Sequence, residues 1–264
     1  MADYWQHFFF LLPMGVLAGI VSTTAGLASL VSYPALLAVG IPPLFANVTN
    51  TAALVMTGLG ATVSSHKELG EHKKELIKIL PFTLGGSVIG AWLLLAAPAT
   101  TFEKAVPFFV LVAALLLLSQ VNKNKHAELN LTREDNIEDD DHKPVYRVVV
   151  SIGITLVGMY CGYFGAAGGV LLLAILSATT TMPFASYNAL KNLSLGGANL
   201  IATVIYMFSS HIYWGLVIPM GIGLFIGGWI GPHIVRIIPE KILKIIIAIL
   251  AMGLAVDLFI KAYF

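Results

Sequence analysis

The stretch GVLAGIVSTTAG, residues 15–26, has the same glycine spacing as GMYCGYFGAAGG, residues 158–169. Both read Gly-x3-Gly-x6-Gly. Three more pairs of similar segments follow in the same order: 46–51 with 189–194, 81–92 with 219–229, and 102–104 with 239–241. One pair can arise by chance, but four pairs in one order indicate an internal duplication. The chain is therefore predicted to contain two copies of one module.

The chain around these repeats is too apolar for a protein dissolved in water. Of its 264 residues, 58% are hydrophobic and 11% are charged, and the mean hydropathy is +0.87. In typical soluble domains about a quarter of the residues are charged. Several apolar stretches reach the roughly 20 residues that a helix needs to cross a bilayer. We therefore predict an all-α, polytopic membrane protein.

The charged residues concentrate in two windows, 66–78 and 122–147. They divide the chain into a first transmembrane module over residues 1–120, a polar cytoplasmic linker over 121–147 and a second transmembrane module over 148–264. Three apolar stretches in each module predict full-length helices. These stretches are 44–65, 79–97 and 104–120 in the first module and 184–208, 214–232 and 241–262 in the second.

Each module also begins with a less regular piece, residues 5–40 and 146–182. A break of small residues separates its first arm from a short second arm, which as a helix covers roughly 20 Å and does not cross a bilayer core of about 30 Å. If the broken piece crosses the membrane once, each module has four crossings and the modules are parallel. If it is a re-entrant hairpin, each module has three crossings and the second module is inverted.

The basic residues favour the inverted topology, because lysine and arginine accumulate on the cytoplasmic side of membrane proteins. Inversion leaves only Lys104 and Lys261 outside and Lys191 within the membrane. The other basic residues are then all inside: Lys67, Lys73, Lys74, Lys78, Lys123, Lys125, Arg133, Lys143, Arg147, Arg236, Lys241 and Lys244. The parallel topology would move three of these outside and only Lys261 inside.

The two breaks supply the first candidate binding residues. Where broken helices meet inside a membrane, the free N–H groups of half-helix N-termini can bind an anion. Close helix packing is the alternative, since small residues are favoured wherever membrane helices touch. Two breaks at equivalent places favour a binding site. The candidates are Ser22, Thr23, Thr24 and Gly26 in the first break and Gly165, Gly168 and Gly169 in the second.

A polar cluster follows each break, at the start of a long apolar helix. Lys191 is the only basic residue away from the ends of the predicted full-length helices, and a charge within the membrane is expected to face the protein interior or a water-filled cavity. We interpret it as the cation that neutralises an anionic substrate. The alternative is a lysine that extends to the membrane surface. The candidates are Asn47, Thr49, Asn50 and Thr51 in the first cluster and Tyr187, Asn188, Lys191, Asn192 and Ser194 in the second.

Other classes of chemistry find little support in the sequence. The single cysteine, Cys161, excludes an intramolecular disulfide and a metal site built on thiolates. The acidic run 134–141 lacks the spacing of a calcium loop, and no basic stripe with aromatic residues indicates nucleic acid. We expect no cofactor, no metal and no enzymatic activity. No Asp or Glu lies deep in a predicted membrane segment, so no residue is assigned to proton coupling.

At these residues the sequence resembles the TauE/SafE family, the sulfite exporter family of membrane transporters. The resemblance rests on the duplicated glycine runs, the polar stretch after each run, and the Pro…Gly…Gly-x-Trp helix of each module. It covers nearly the whole chain except the linker. It implies a multi-pass protein of the bacterial cytoplasmic membrane that moves sulfite, sulfonates such as sulfoacetate, or related organic anions. Ser22, Thr23 and Thr24 replace part of the usual glycine-rich pattern, which leaves the exact substrate open.

The sequence thus predicts a secondary transporter of small anions that works by alternating access. Its partners would be the lipid bilayer and a small anionic substrate, with protons as a candidate coupling ion. Two alternatives stay open: an anion channel, and a membrane assembly or scaffold protein that needs no polar cavity. The direction of transport and the oligomeric state are not determined by the sequence.

Overall fold

A computed structural model describes residues 2–123, 144–180, 182–234 and 240–263, which form helices and contain no strand. The helices of the first module are α1 (Ala2–Ala25), α2 (Ser29–Ala38), α3 (Pro43–Ser64), α4 (His66–Glu71), α5 (Lys73–Ala96) and α6 (Ala99–Lys123). Those of the second are α7 (Pro144–Tyr163), α8 (Gly168–Thr179), α9 (Phe184–Ser209), α10 (Trp214–Ile234) and α11 (Glu240–Tyr263). Five of the described helices are long and apolar enough to cross a membrane. The predicted all-α, polytopic membrane protein is confirmed.

The helices lie close to their predicted positions, except that two of them begin earlier. Helix α6 begins at Ala99 and not at 104. Helix α5 begins at Lys73, several residues before the predicted start at 79. Lysine and glutamate are good helix formers, so the charged residues 73–78 continue the helix beyond its apolar part. Most of the predicted linker lies outside the described residues, and the division into modules stays a prediction.

Both broken pieces are present, but the breaks are shifted from the predicted residues. Ser22 to Ala25 form the last turn of α1, and the first break is residues 26–28. Thr23 and Thr24 are helical, and their hydroxyls donate to carbonyls three or four residues earlier in α1. The second break is residues 164–167, so Gly168 and Gly169 already belong to α8.

A glycine with positive φ follows the end of the first arm in each module. Gly26 has a φ of 74° and Gly165 has a φ of 70°. Residues other than glycine are disfavoured in this left-handed conformation. A glycine in this conformation commonly ends a helix. Each glycine therefore lets the chain reverse from the first arm into the short second helix.

The first arm of each module packs along a helix of the other module. Gly15 on α1 touches the backbone of Met220 on α10, and Gly158 on α7 touches the backbone of Thr83 on α5. A Cβ atom at either glycine would collide with the facing carbonyl oxygen. Because α5 and α10 carry the repeated Pro…Gly…Gly-x-Trp pattern, these are equivalent contacts. The modules thus exchange their first arms.

Equivalent helices of the two modules also pair with each other, and they run antiparallel. Phe45 near the start of α3 contacts Tyr213 just after α9, with ring centroids 6.3 Å apart. Further along α3, Gly58 touches Gly196 of α9. In the same way the hydroxyl of Tyr263 at the end of α11 donates to the carbonyl of Lys104 near the start of α6. Antiparallel pairing is expected of inverted modules, although their inversion across the membrane stays a prediction.

The surface of the bundle is apolar, and the polar residues lie inside it. Trp92, Val149 and Phe208 are more than half exposed, as expected for side chains that face lipid rather than water. Several serines, threonines and asparagines and one lysine are buried instead. This distribution places the polar chemistry of the protein at the centre of the bundle.

Candidate functional site

The two breaks meet at the centre of the bundle. The backbones of Gly26 and Gly169 are in direct contact, and a Cβ atom on Gly26 would lie 2.5 Å from the carbonyl carbon of Gly169. A cavity of about 40 Å³ lies beside this contact. One water-sized probe occupies roughly 10–15 Å³, so the cavity has room for a small ion or a few waters.

Both modules contribute to the wall of this cavity. Its lining residues are Ser22, Gly26, Ala28, Ser29, Leu54, Thr57, Gly58, Cys161, Phe164, Gly165, Gly169, Asn192, Leu195, Gly196 and Asn199. Five of the predicted site residues are among them: Ser22, Gly26, Gly165, Gly169 and Asn192. The other predicted residues do not line the cavity: Thr23, Thr24, Asn47, Thr49, Asn50, Thr51, Gly168, Tyr187, Asn188, Lys191 and Ser194.

Lys191 lies just behind the cavity wall. Its side chain is 1% exposed, and its Nζ donates to the carbonyl oxygen of Ser22 over 3.0 Å. Asn188, one turn earlier on α9, donates from Nδ2 to the carbonyl of Thr23 over 2.9 Å. These carbonyls belong to the last turn of α1, which carries a partial negative charge. The carbonyl of Ser22 also accepts a hydrogen bond from the backbone N–H of Gly26 over 2.8 Å. The second polar cluster therefore caps the broken helix of the first module.

The end of α7 is capped in the same manner by the first module and by α9. Asn47 of α3 donates from Nδ2 to the carbonyl of Tyr163 over 2.9 Å. The hydroxyl of Tyr206 on α9 donates to the carbonyl of Gly162. Asn47 and Asn188 thus have corresponding roles at the two broken helices. Tyr206 is a contributor that the sequence analysis missed.

The remaining predicted residues make local contacts around the site. Thr49 accepts a hydrogen bond from the backbone N–H of Tyr213 over 3.2 Å. The hydroxyl of Thr51 donates to the carbonyl of Asn47 over 2.9 Å. Tyr187 is partly exposed near the start of α9. These contacts do not reach the central cavity. Asn50 does contact its wall, because Nδ2 of Asn50 donates to the hydroxyl of Ser29 over 3.2 Å, and the hydroxyl of Ser194 is buried without a partner.

The cavity wall contains buried polar atoms that have no partner within the protein. Nδ2 of Asn192 and Oγ1 of Thr57 make no hydrogen bond, although their residues are 7% and 4% exposed. An amide nitrogen is a donor only, and a hydroxyl can donate as well. A buried polar group without a partner costs about 1–3 kcal/mol. Both residues belong to the cavity wall. Oδ1 of Asn47, Asn50 and Asn188, outside the wall, is also buried without a partner.

The charges around the cavity favour a negative ligand. The N-terminal ends of α2 and α8 lie at the two breaks, and a helix N-terminus carries a partial positive charge. The N–H groups of Leu30, Val31 and Gly168 there already donate to backbone carbonyls. The opposing C-terminal ends of α1 and α7 are covered by donors. Within the described part of the chain, Lys191 is the only buried charged side chain and no carboxylate is buried. Those residues also contain no group of His, Cys, Asp and Glu that could hold a metal.

Three polar residues of the cavity wall were missed by the sequence analysis: Ser29, Thr57 and Asn199. Asn199 could have been identified from the sequence, because a polar side chain in the middle of an apolar membrane helix is costly and therefore indicates a functional site. Thr57 had none. Threonines in helices commonly bond to their own backbone, and only the packing shows that this one does not.

Comparison with known proteins agrees with this architecture. The chain is 25% identical over 259 residues to the probable membrane transporter protein ORF9 of Sinorhizobium sp, covering 94% of this chain and 91% of that protein. It is 26% identical over 279 residues to the probable membrane transporter protein YunE of Bacillus subtilis, covering 98% and 100%. No solved structure matches the chain. The model of the sulfite exporter family TauE/SafE matches residues 11–258, and the chain therefore belongs to this family of multi-pass membrane transporters.

Proposed function

We propose that the protein is a secondary transporter that carries small anions across the bacterial cytoplasmic membrane by alternating access. The observation that carries this proposal is the central cavity, with unpartnered donors from Asn192 and Thr57 and two helix N-termini around it. A site that presents hydrogen-bond donors and contains no buried carboxylate selects for a negatively charged ligand. A scaffold protein has no need for such a cavity.

The size of the cavity supports a compact substrate. About 40 Å³ suits an anion with a few heavy atoms, such as sulfite. A sulfonate with a second charged group, such as sulfoacetate, would require the walls to separate. We therefore propose sulfite as the preferred substrate and short sulfonates as poorer ones.

Lys191 is proposed to supply positive charge through Ser22. The ammonium does not line the cavity, but the carbonyl that it binds belongs to a residue that does. In a low-dielectric interior a charge acts over several ångströms. Lys191 would stabilise a bound anion while it also caps α1. Protons stay a candidate coupling ion without an assigned residue.

The antiparallel pairing of α3 with α9 supports inverted modules, and the exchange of first arms suggests how they move. Gly15 and Gly223 bring α1 and α10 into backbone contact, and Gly86 and Gly158 do the same for α5 and α7. Such close contacts keep each pair together. We propose that α1 moves with α10 and α7 moves with α5, so that the moving units cross the boundary between the sequence modules.

Transport by the purified protein in proteoliposomes tests the proposal. Uptake of radiolabelled sulfite should saturate with concentration. Unlabelled sulfite should inhibit this uptake more strongly than sulfoacetate does. Protein carrying Asn192→Leu, which removes an unpartnered donor from the cavity wall, should take up sulfite more slowly than wild type. Uptake that does not saturate and carries current would indicate a channel. Absence of anion flux from folded protein would contradict the proposal.

A further inference from the structure

The caps on the two broken helices correspond in position but differ in charge. At the end of α1, Asn188 and Lys191 of α9 both donate to carbonyls, and Lys191 brings a positive charge. At the end of α7, Asn47 of α3 has the role of Asn188. The residue three positions after Asn47 is Asn50, where α9 has Lys191. A helix C-terminus carries a partial negative charge and favours a cation, but α3 supplies only neutral side chains here.

The two asparagines of α3 have partners for their nitrogen atoms but none for their oxygen atoms. Nδ2 of Asn47 donates to the carbonyl of Tyr163 over 2.9 Å, and Nδ2 of Asn50 donates to the hydroxyl of Ser29 over 3.2 Å. Oδ1 of each amide makes no hydrogen bond, although both residues are 1% exposed. An amide oxygen only accepts, so neither oxygen can bind the oxygens of an anion. Each oxygen lacks a partner that is positively charged or donates a hydrogen bond.

Asn47 and Asn50 lie on the same face of α3, because side chains three residues apart in a helix are neighbours. Both bond to the broken pieces of the chain. Tyr163 is the last residue of α7, and Ser29 is the first residue of α2. The two amide oxygens are therefore buried side by side on α3, next to the partial negative charge at the end of α7.

Neutral oxygens beside a helix C-terminus identify the class of ligand. Ca²⁺ and Mg²⁺ are usually bound through carboxylates, and no carboxylate is buried in the part of the chain that the structure describes. Backbone carbonyls and half-helix C-termini coordinate Na⁺ in transporters with broken helices. We propose that Oδ1 of Asn47 and Oδ1 of Asn50 bind a Na⁺ ion, which gives the first module the positive charge that Lys191 gives the second.

The ion site adjoins the central cavity. Ser29, which accepts a hydrogen bond from Asn50, also lines that cavity, so one side chain separates a bound Na⁺ from a bound anion. Opposite charges attract over such a distance in a low-dielectric interior. Na⁺ and the anion should therefore bind cooperatively, which makes Na⁺ a coupling ion that needs no buried carboxylate. This coupling rests on the anion transport proposed above, whereas the ion site itself does not.

Na⁺ binding can be tested on the purified full-length protein in a neutral detergent, without sulfite. Thermal melting is compared in NaCl, KCl and choline chloride at equal salt concentration. A ligand that binds only the folded protein raises its melting temperature, so NaCl should raise it by several degrees over choline chloride, in a saturable way, and KCl should raise it less. Equal melting in NaCl and choline chloride, the result expected if water fills the site, would overturn the proposal. An effect of KCl as large as that of NaCl would also overturn it.

Variants test the assignment of the two oxygens. Asn50→Leu removes one of them and should abolish the difference in melting between NaCl and choline chloride. Asn188→Leu is the matched control, because it makes the same change at the cap of the second module and should keep that difference while lowering stability in both salts. If Asn50→Leu does not fold, Asn50→Lys supplies an ammonium group as Lys191 does, and its melting should not depend on Na⁺. A Na⁺ effect that survives in Asn50→Leu or Asn50→Lys would overturn the proposal.

Proteoliposomes test the coupling separately from the ion site. Replacing external choline chloride with NaCl should lower the sulfite concentration for half-maximal uptake several-fold. Sulfite uptake that is the same in both salts would overturn the coupling. Absence of sulfite flux from protein that still melts at a higher temperature in NaCl would overturn the proposed transport and support the ion site.

Discussion

The ammonium group of Lys191 lies 3.0 Å from the carbonyl oxygen of Ser22, a residue 169 positions earlier in the chain. This hydrogen bond joins the second polar cluster to the broken helix of the first module. It gives a buried lysine a structural partner and places its charge next to the cavity wall. Lys191 therefore stabilises the break whether or not an anion is bound.

Replacing Lys191 separates its two roles. Lys191→Gln keeps a hydrogen-bond donor but removes the charge, so we expect a small loss of thermal stability and a large loss of sulfite uptake. Lys191→Ala removes both and should also destabilise the protein by about 1–3 kcal/mol. Lys261→Gln is the control, because the exposed pair of Lys261 with Asp257 contributes little. Full uptake by Lys191→Gln in proteoliposomes would refute the charge role.

Gly26 should tolerate no side chain. Gly26→Ala introduces a Cβ at a positive φ, 2.5 Å from the carbonyl carbon of Gly169, so we expect loss of folded protein on size-exclusion chromatography after membrane extraction. Gly85→Ala is the control, since a Cβ on that membrane-helix glycine meets nothing within 4 Å. It should be neutral or slightly stabilising, because alanine favours helix. Normal yield of Gly26→Ala would contradict the close crossing.

The hydroxyl of Thr57 is expected to bind the ligand and not to stabilise the fold. Thr57→Val keeps the shape of the side chain and removes a hydroxyl that has no partner. We therefore expect equal or higher thermal stability and a several-fold rise in the sulfite concentration for half-maximal uptake. Thr203→Val is the matched control on α9, because the Thr203 hydroxyl donates to the carbonyl of Asn199. Equal uptake constants for wild type and Thr57→Val would exclude a role in binding.

Two buried tyrosines should respond in opposite ways to loss of their hydroxyl. Tyr206 donates to the carbonyl of Gly162, so Tyr206→Phe should destabilise the protein by about 1 kcal/mol or more. The hydroxyl of Tyr33 is buried without a partner, so Tyr33→Phe should be neutral or stabilising. Thermal melting in detergent compares the two variants directly. The reverse order of stability would contradict the assigned cap on α7.

Inverted modules predict that two equivalent loops lie on opposite sides of the membrane. In a Cys161→Ala background, Lys67→Cys in the short helix α4 and His211→Cys mark the segments that follow α3 and α9. A membrane-impermeant maleimide should label His211→Cys in intact cells and Lys67→Cys only in inside-out vesicles. Labelling of both cysteines from the same side would favour parallel modules.

Local sequence features were sufficient to predict the membrane class and the order of the helices. Hydropathy over about 20 residues predicted α3, α9 and α10 closely. Small residues at 22–26 and 165–169 also indicated two broken helices. The position of the first break differed, because α1 continues through Ser22 to Ala25 with the threonine hydroxyls bonded to its own carbonyls.

The tertiary structure decided which residues meet. The sequence grouped Lys191 with the binding residues because it is polar and lies in a membrane segment, but its hydrogen bond to Ser22 depends on how α9 crosses the end of α1. Likewise Thr57 and Asn199 join the cavity wall only because Gly58 and Gly196 let α3 and α9 touch. Hydropathy and spacing report on neighbours along the chain. Contacts across more than 100 residues depend on packing between helices, which no local pattern specifies.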